Sequence, residues 1–146
     1  KNEEIKLILP LHKNPIVRES IQDLLKDNKN IFLVENMPYV NFILTLKNAL
    51  IVLTDSGGVQ EEAVTLGKPL LILRDRTERP EVFEGGNASL VGTDPYKIEK
   101  ELNSLLENKK KYQIMSKKSK AFGDGNSSKI IFDKTLSFLK DNSNYL

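Results

Sequence analysis

Thr54-Asp55-Ser56-Gly57-Gly58-Val59-Gln60-Glu61-Glu62-Ala63 is the stretch that decides the fold of this chain. The apolar run Leu50-Ile51-Val52-Leu53 precedes it and reads as a buried strand. A helical pattern follows and stops at Gly67-Lys68-Pro69. A strand, a Ser-Gly-Gly turn and a helix start together form an anion site. Ser56 is of the type that caps a helix N-terminus. Gly57 and Gly58 let a ligand approach the backbone, and the free N–H groups of the first turn point at it with a favourable dipole. A phosphate or diphosphate is the expected guest. The competing reading is a tight turn that needs positive φ. One glycine would satisfy that turn, so two behind a serine favour the phosphate. The stretch contains neither G-x-G-x-x-G nor a P-loop, and Lys68 belongs to a helix end, where Gly67 is the cap.

Outward from this stretch the chain alternates strands and helices. Ile5-Lys6-Leu7-Ile8-Leu9 reads as a first strand. Asn14 and Pro15 open a helix, and Val17, Ile21, Leu24 and Leu25 fall on one face of it. Residues 27–30 form a turn and Ile31-Phe32-Leu33-Val34 a second strand. Pro38 begins a helix carrying Phe42, Leu46 and Ala49, and residues 50–53 are the third strand. The third helix covers residues 57–66, Leu70-Leu71-Ile72-Leu73 is the fourth strand and residues 88–91 a weaker fifth. Pro95 starts a helix with Ile98, Leu102, Leu105 and Leu106 in phase. The basic run Lys109-Lys110-Lys111 leads into a short helix over residues 112–118. Gly123-Asp124-Gly125 is a break, and Asn126 or Ser127 caps a last helix with Phe132, Leu136 and Leu139 on one face. This is an α/β chain with a mostly parallel, Rossmann-like sheet flanked by helices. Its continuous apolar strands suit a sheet covered on both faces. Ligands of such sheets sit beyond the carboxyl ends of the strands. That rim holds residues 10–15, 35–38, 54–58 and 74–80.

The totals are those of an ordinary globular domain. The chain has 146 residues, a hydrophobic fraction of 39%, a charged fraction of 29% and a net charge of +2. That charge is too small to argue for nucleic acid or an anionic membrane surface. Cysteine is absent, so disulfides and thiolate metal sites are excluded. No long apolar stretch and no signal peptide is evident, and the cytoplasm is the default expectation. The start at Lys1, close to a strand, reads as a cut from something longer or as a free-standing domain.

Candidate ligand groups line the rim. Glu62 lies one helical turn beyond Gly58, where a carboxylate can accept both hydroxyls of a ribose diol. Glu61 reads as a solvated helix charge, although the sequence does not rank the two. Arg74, Arg76 and Arg79 follow the fourth strand, and a guanidinium can clamp phosphate oxygens in a fork. The alternative is a surface loop whose arginines pair with Asp75, Glu78 and Glu81. Pro80 stiffens that loop. His12 is the single histidine and has no evident catalytic partner. Phe42 could stack on a base, but periodicity favours a core role. The sequons at Asn87 and Asn126 matter only in a secreted protein.

The stretch 54–63, with Leu66-Gly67-Lys68-Pro69, Arg74-Asp75, Thr77-Glu78-Arg79-Pro80-Glu81 and Leu90-Val91-Gly92-Thr93-Asp94, resembles the non-hydrolysing UDP-N-acetylglucosamine 2-epimerases. His12, Asn14-Pro15, Val17-Arg18-Glu19, Met115-Ser116 and Gly123-Asp124-Gly125 extend the likeness over nearly the whole chain. The resemblance implies one half of a glycosyltransferase-B-like fold, in which two Rossmann-like domains enclose a cleft. This chain is similar to the C-terminal domain alone. Residues 1–125 then form the UDP-binding domain, and residues 126–146 a C-terminal helix that crosses toward the N-terminal domain. The resemblance assigns Ser56, Gly57 and Gly58 to the diphosphate and Glu62 to the ribose. It assigns Phe42 to the uracil, against the core reading, and Arg79 to the phosphate and sugar. His12 matches a contact to a second, regulatory UDP-sugar in some bacterial members. The implied activity interconverts UDP-N-acetylglucosamine and UDP-N-acetylmannosamine by elimination and re-addition of UDP. It needs no nicotinamide cofactor and no metal.

The N-terminal half, which in the family supplies most acid–base carboxylates, has no counterpart here. No catalytic residue is therefore assigned in this domain. The expected partners are a UDP-sugar, the N-terminal domain and, in the full-length enzyme, a second subunit of a homodimer. Neither nucleic acid nor membrane is expected. Two smaller departures are Arg76, where threonine is common, and Gly85-Gly86-Asn87 in place of Ala-Gly-Thr. The alternatives are the nucleotide-sugar-binding domain of a GT-B-type glycosyltransferase, which shares the fold and the nucleotide end, and a non-catalytic module in which residues 54–58 are only a turn.

Overall fold

A computed structural model describes residues 5–142. In chain order the elements are β1 (Leu7–Pro10), α1 (Pro15–Leu25), β2 (Ile31–Val34), α2 (Tyr39–Asn48), β3 (Val52–Thr54) and α3 (Gly57–Thr65). They continue with β4 (Leu70–Ile72), a 3-10 turn (Pro80–Phe83), β5 (Ala88–Leu90), α4 (Pro95–Glu107), α5 (Lys109–Met115) and α6 (Ser127–Asp141). All pairings among the described residues are parallel, as the strand–helix alternation requires. They form two sheets: β1 with β2, and β3-β4-β5 in that order. The chain divides into two compact units at Thr45 and Leu46.

In the first unit Asn14 caps α1, its side chain accepting the Ile16 N–H, and Pro15 takes the first helical position. β1 and β2 run in register from Leu7 opposite Ile31 to Pro10 opposite Val34. The expectation of strands covered on both faces fails here. Leu7, Ile8 and Phe32 are exposed, and α1 has no buried residue. Leu24, expected on the packed face of α1, is 82% exposed, and Val17 is also open. A unit of this size has too little surface to enclose a core of its own.

The second unit does have a core. Leu70, Leu71 and Ile72 of the central strand β4 are wholly buried. Leu71 packs with Val91, Leu105 and Met115, and Ile98 and Leu102 close over them from α4. The phase read for α4 is therefore correct except at Leu106, which is exposed. Asp94 caps α4 by accepting the Tyr96 N–H. Gly67 ends α3 at φ 69°, with its N–H bonded to the Val64 carbonyl and the Lys68 N–H bonded to Ala63. This pair of bonds is the Schellman arrangement that a glycine cap permits. The basic run at Lys109 is itself the first turn of α5, not a leader to it. Asn108 makes this possible by ending α4 and accepting the Lys111 N–H.

α6 begins at Ser127, with Asn126 in the N-cap position, after Gly123 and Gly125 at φ 93° and 87°. None of its residues is buried, and Phe132, Leu136 and Leu139 are exposed. Residues 143–146 of the expected C-terminal segment lie outside the described residues.

Candidate functional site

β3 and β4 are parallel neighbours, with Thr54 opposite Ile72. Their carboxyl ends thus bring residues 54–58 and 74–80 to one edge of the three-stranded sheet. Thr54 is buried, and its Oγ1 accepts the Ser56 N–H at 3.0 Å. Ser56 then occupies the N-cap position with extended backbone (φ −85°, ψ 126°), and its carbonyl accepts the Gln60 N–H. The expected side-chain cap is not made: the Ser56 hydroxyl bonds no N–H of the helix. Thr54 Oγ1 fixes only the backbone entering the helix, through the Ser56 N–H. The N–H groups of the first turn of α3 therefore have no capping side chain, which is the arrangement that suits an anion.

Gly57 and Gly58 both lie within α3, and neither has positive φ. The tight-turn explanation for these glycines is thereby removed. What Gly57 provides is proximity. A Cβ placed there would stand 2.8 Å from Glu78 Oε1, 3.6 Å from Arg79 Nη2 and 3.7 Å from Arg79 Cζ. A Cβ on Gly58 would meet nothing within 4 Å. Gly58 thus faces open space at the helix mouth.

The arginine loop is built against this mouth. Arg79 Nε donates to Glu61 Oε1, and Arg79 Nη1 lies 3.9 Å from Glu78 Oε1. Arg74 Nη1 donates to Glu78 Oε2 at 2.7 Å. The bond to Glu61 raises Arg79 above its ordinary value, so the guanidinium stays charged. Glu78 is held below the usual carboxylate range by a bond from its own backbone N–H, with Arg74 and Arg79 adding to the effect. Arg76 is exposed and has no partner among the described residues. The surface-loop reading is thus right for Arg74 and incomplete for Arg79, which is tied back to α3.

Glu61 is therefore not the solvated helix charge expected from the sequence. Arg79 reaches across from the following loop and takes its carboxylate. Glu62, its neighbour, is half-buried and has no side-chain partner among the described residues. Of the two adjacent carboxylates, one is committed to the protein and one is open.

Sequence reasoning missed the supports beneath this arrangement. Gln60 is wholly buried, and its Oε1 accepts the Thr77 hydroxyl at 2.6 Å. Thr77 Oγ1 in turn accepts the Arg79 backbone N–H at 3.1 Å. Gln60, Ala63 and Val64 are the buried residues of α3. A glutamine on an otherwise apolar i, i+3, i+4 stripe was the available signal.

Phe42 and His12 belong to the first unit. Phe42 is half-buried on α2, which fits neither a sealed core position nor a fully open stacking face. His12 is exposed, and its Nδ1 accepts the Asn14 N–H at 3.1 Å. Arg18 reaches Glu35 through two guanidinium nitrogens, one at 2.8 Å from Oε2 and the other on Oε1. That bond lowers Glu35 below the usual carboxylate range. The Asn87 sequon is sterically closed, because Asn87 is buried with Nδ2 bonded to the Met115 and Lys117 carbonyls.

The family model for UDP-N-acetylglucosamine 2-epimerase matches residues 1–136. The chain belongs to this family. It is 44% identical over 124 residues to the UDP-N-acetylglucosamine 2-epimerase of Escherichia coli K12, covering 85% of this chain and 33% of that protein. The Neisseria meningitidis serogroup A enzyme is 44% identical over 129 residues, covering 88% and 35%. Among solved structures, the N. meningitidis UDP-GlcNAc 2-epimerase bound to UDP-GlcNAc superposes with a TM-score of 0.86 at 43% identity, over 90% of this chain and 36% of that one. The S. aureus MnaA–UDP co-structure gives 0.89 at 38% identity, over 94% and 38%. The chain spans about a third of the length of the curated relatives it matches. The Rossmann-like α/β class read from the sequence is the class found, and the epimerase relatives carry the glycosyltransferase-B-like assignment. Among the described residues, no helix is long and apolar enough to cross a membrane, and no cluster of His, Cys, Asp or Glu could hold a metal.

Proposed function

We propose that this chain is the UDP-binding part of an enzyme that interconverts UDP-N-acetylglucosamine and UDP-N-acetylmannosamine. The observation that carries the proposal is the Arg79 guanidinium held beside Gly57, at an α3 N-terminus with no capping side chain. In this reading Ser56, Gly57 and Gly58 bind the diphosphate and Arg79 neutralises its charge. Glu62, the open carboxylate, accepts the ribose hydroxyls, and Phe42 stacks on uracil. His12 contacts a second, regulatory UDP-sugar.

The chemistry follows from what such a site does to a leaving group. Removal of the C2 proton and departure of UDP from C1 give 2-acetamidoglucal. Return of a proton to the opposite face of C2, with re-addition of UDP at C1, gives the epimer. Charge gathers on the diphosphate as the C1–O bond breaks, and fixed N–H donors with a guanidinium stabilise it there. Holding UDP in place makes its return an intramolecular event. The acid–base groups are assigned to the N-terminal domain of a full-length, homodimeric cytoplasmic enzyme, toward which α6 crosses. The relatives bound to UDP-GlcNAc and UDP support this reading over the glycosyltransferase alternative.

Calorimetric titration tests the proposal. UDP should bind the chain, uridine more weakly, and an NMR assay of the chain alone should show no UDP-N-acetylmannosamine formed. Equal affinity for UDP and uridine would remove the phosphate site, and epimerisation by this chain alone would overturn the assignment of acid–base groups elsewhere.

A further inference from the structure

Two consecutive residues of α3 grip the arginine loop by different atoms. Gln60 holds the backbone at Arg79 through Thr77, and Glu61 holds the Arg79 side chain at Nε. An arginine offers five N–H donors in a planar fork. With Nε committed to Glu61, the two Nη groups remain: Nη1 lies 3.9 Å from Glu78 Oε1, and Nη2 stands 3.6 Å from the Gly57 Cβ position. We propose that Glu61 is a positioning residue for phosphate recognition, aiming the Nη edge of Arg79 at the first turn of α3. This rests on the phosphate reading of the site given above.

The geometry gives Glu61 a role that Glu62 does not share. A freely rotating arginine loses up to several rotamers' worth of entropy when it clamps an anion, and a carboxylate on Nε removes part of that loss in advance. A carboxylate so close also offsets part of the guanidinium charge. The two effects have opposite signs on affinity, which makes the role measurable. If Glu61 aims Arg79, its removal weakens phosphate binding. If it only neutralises Arg79, its removal strengthens it.

The test is titration of the full chain with UDP and with uridine, in four forms: unsubstituted, Glu61→Ala, Glu61→Gln and Arg79→Ala, with the double variant Glu61→Ala/Arg79→Ala completing a cycle. Glu61→Ala should weaken UDP binding about tenfold, the scale of one charge-assisted hydrogen bond, and leave uridine binding unchanged. Glu61→Gln keeps an oxygen for Nε and should restore most of the affinity. On the Arg79→Ala background, Glu61→Ala should cost nothing further. Alanine is a good helix former, so thermal melting separates any loss of fold from loss of aim. Unchanged or tighter UDP binding by Glu61→Ala overturns the inference, as does an equal loss for uridine or a loss that persists without Arg79. No response to UDP in the unsubstituted chain overturns the phosphate reading itself, and the inference with it.

Discussion

Gly58 is the residue at which stability and binding separate. It sits in the first turn of α3 with helical backbone and open space around its Cβ position. Gly58→Ala should therefore raise stability, by about 0.5–1 kcal/mol on helix propensity, while the added methyl obstructs an anion at the N–H groups. Thermal melting and UDP titration of the same variant check both halves, and a variant that gains stability without losing affinity would place the ligand elsewhere. A second residue-scale prediction concerns Glu35, which Arg18 holds below the usual carboxylate range. A depressed carboxylate stabilises the fold above its unfolded value, and that stabilisation is lost as pH falls through the lower folded value. NMR titration should find the Glu35 midpoint below the ordinary glutamate range, and Glu35→Gln should flatten the acid limb of the unfolding profile in the first unit. A midpoint in the ordinary range would mean that the fork to Arg18 is not formed in solution. At this scale the sequence was partly legible. Gly57, Gly58 and the arginine loop stood out as chemistry. The partner of Glu61 did not, because Arg79 is 18 residues away and only the β3–α3–β4 register brings it back.

Elements were easier to read than their ends. The caps at Asn14, Asp94 and Gly67 each carry a local signal, and each is used as the signal says. The capping hydroxyl of Ser56 is the exception: it bonds no N–H of the helix, while the Ser56 N–H itself is taken by Thr54 Oγ1. The turn before β5 yields a further prediction. Gly85 is packed so that a Cβ would stand 2.3 Å from Asn87 Oδ1 and 3.0 Å from Ser119 Cβ. Asn87 itself ties β5 to the end of α5. An asparagine at 87 that spans to α5 thus leaves no room for a Cβ at 85. Gly85→Ala should cost about 1–3 kcal/mol, as overpacking does. Adding Asn87→Thr should recover part of it, a coupling that denaturant unfolding of the four forms measures. Additive losses would show that the two positions are independent.

At the scale of the whole molecule, burial is uneven. β4 at the centre of its sheet is sealed, and Leu71→Ala should cost about 2–5 kcal/mol. The first unit and α6 instead present Leu7, Ile8, Phe32, Phe132, Leu136 and Leu139 on the surface. The continuous apolar strands marked Leu7, Ile8 and Phe32 as covered, whereas periodicity gave Phe132, Leu136 and Leu139 only a shared face, because it reports that a face is apolar and not what covers it. An uncovered apolar helix face of this kind should make the chain self-associate or exchange α6 between copies. Sedimentation at rising concentration checks this, and a monomer whose α6 amides resist hydrogen exchange would contradict it. The central claim concerns the point where β3 opens into α3. An amide-resolved NMR titration of the full chain with UDP tests it most directly. The account predicts saturable shifts at the Gly57 and Gly58 amides that uridine does not reproduce. Saturation by UDP with those two amides unmoved would contradict it.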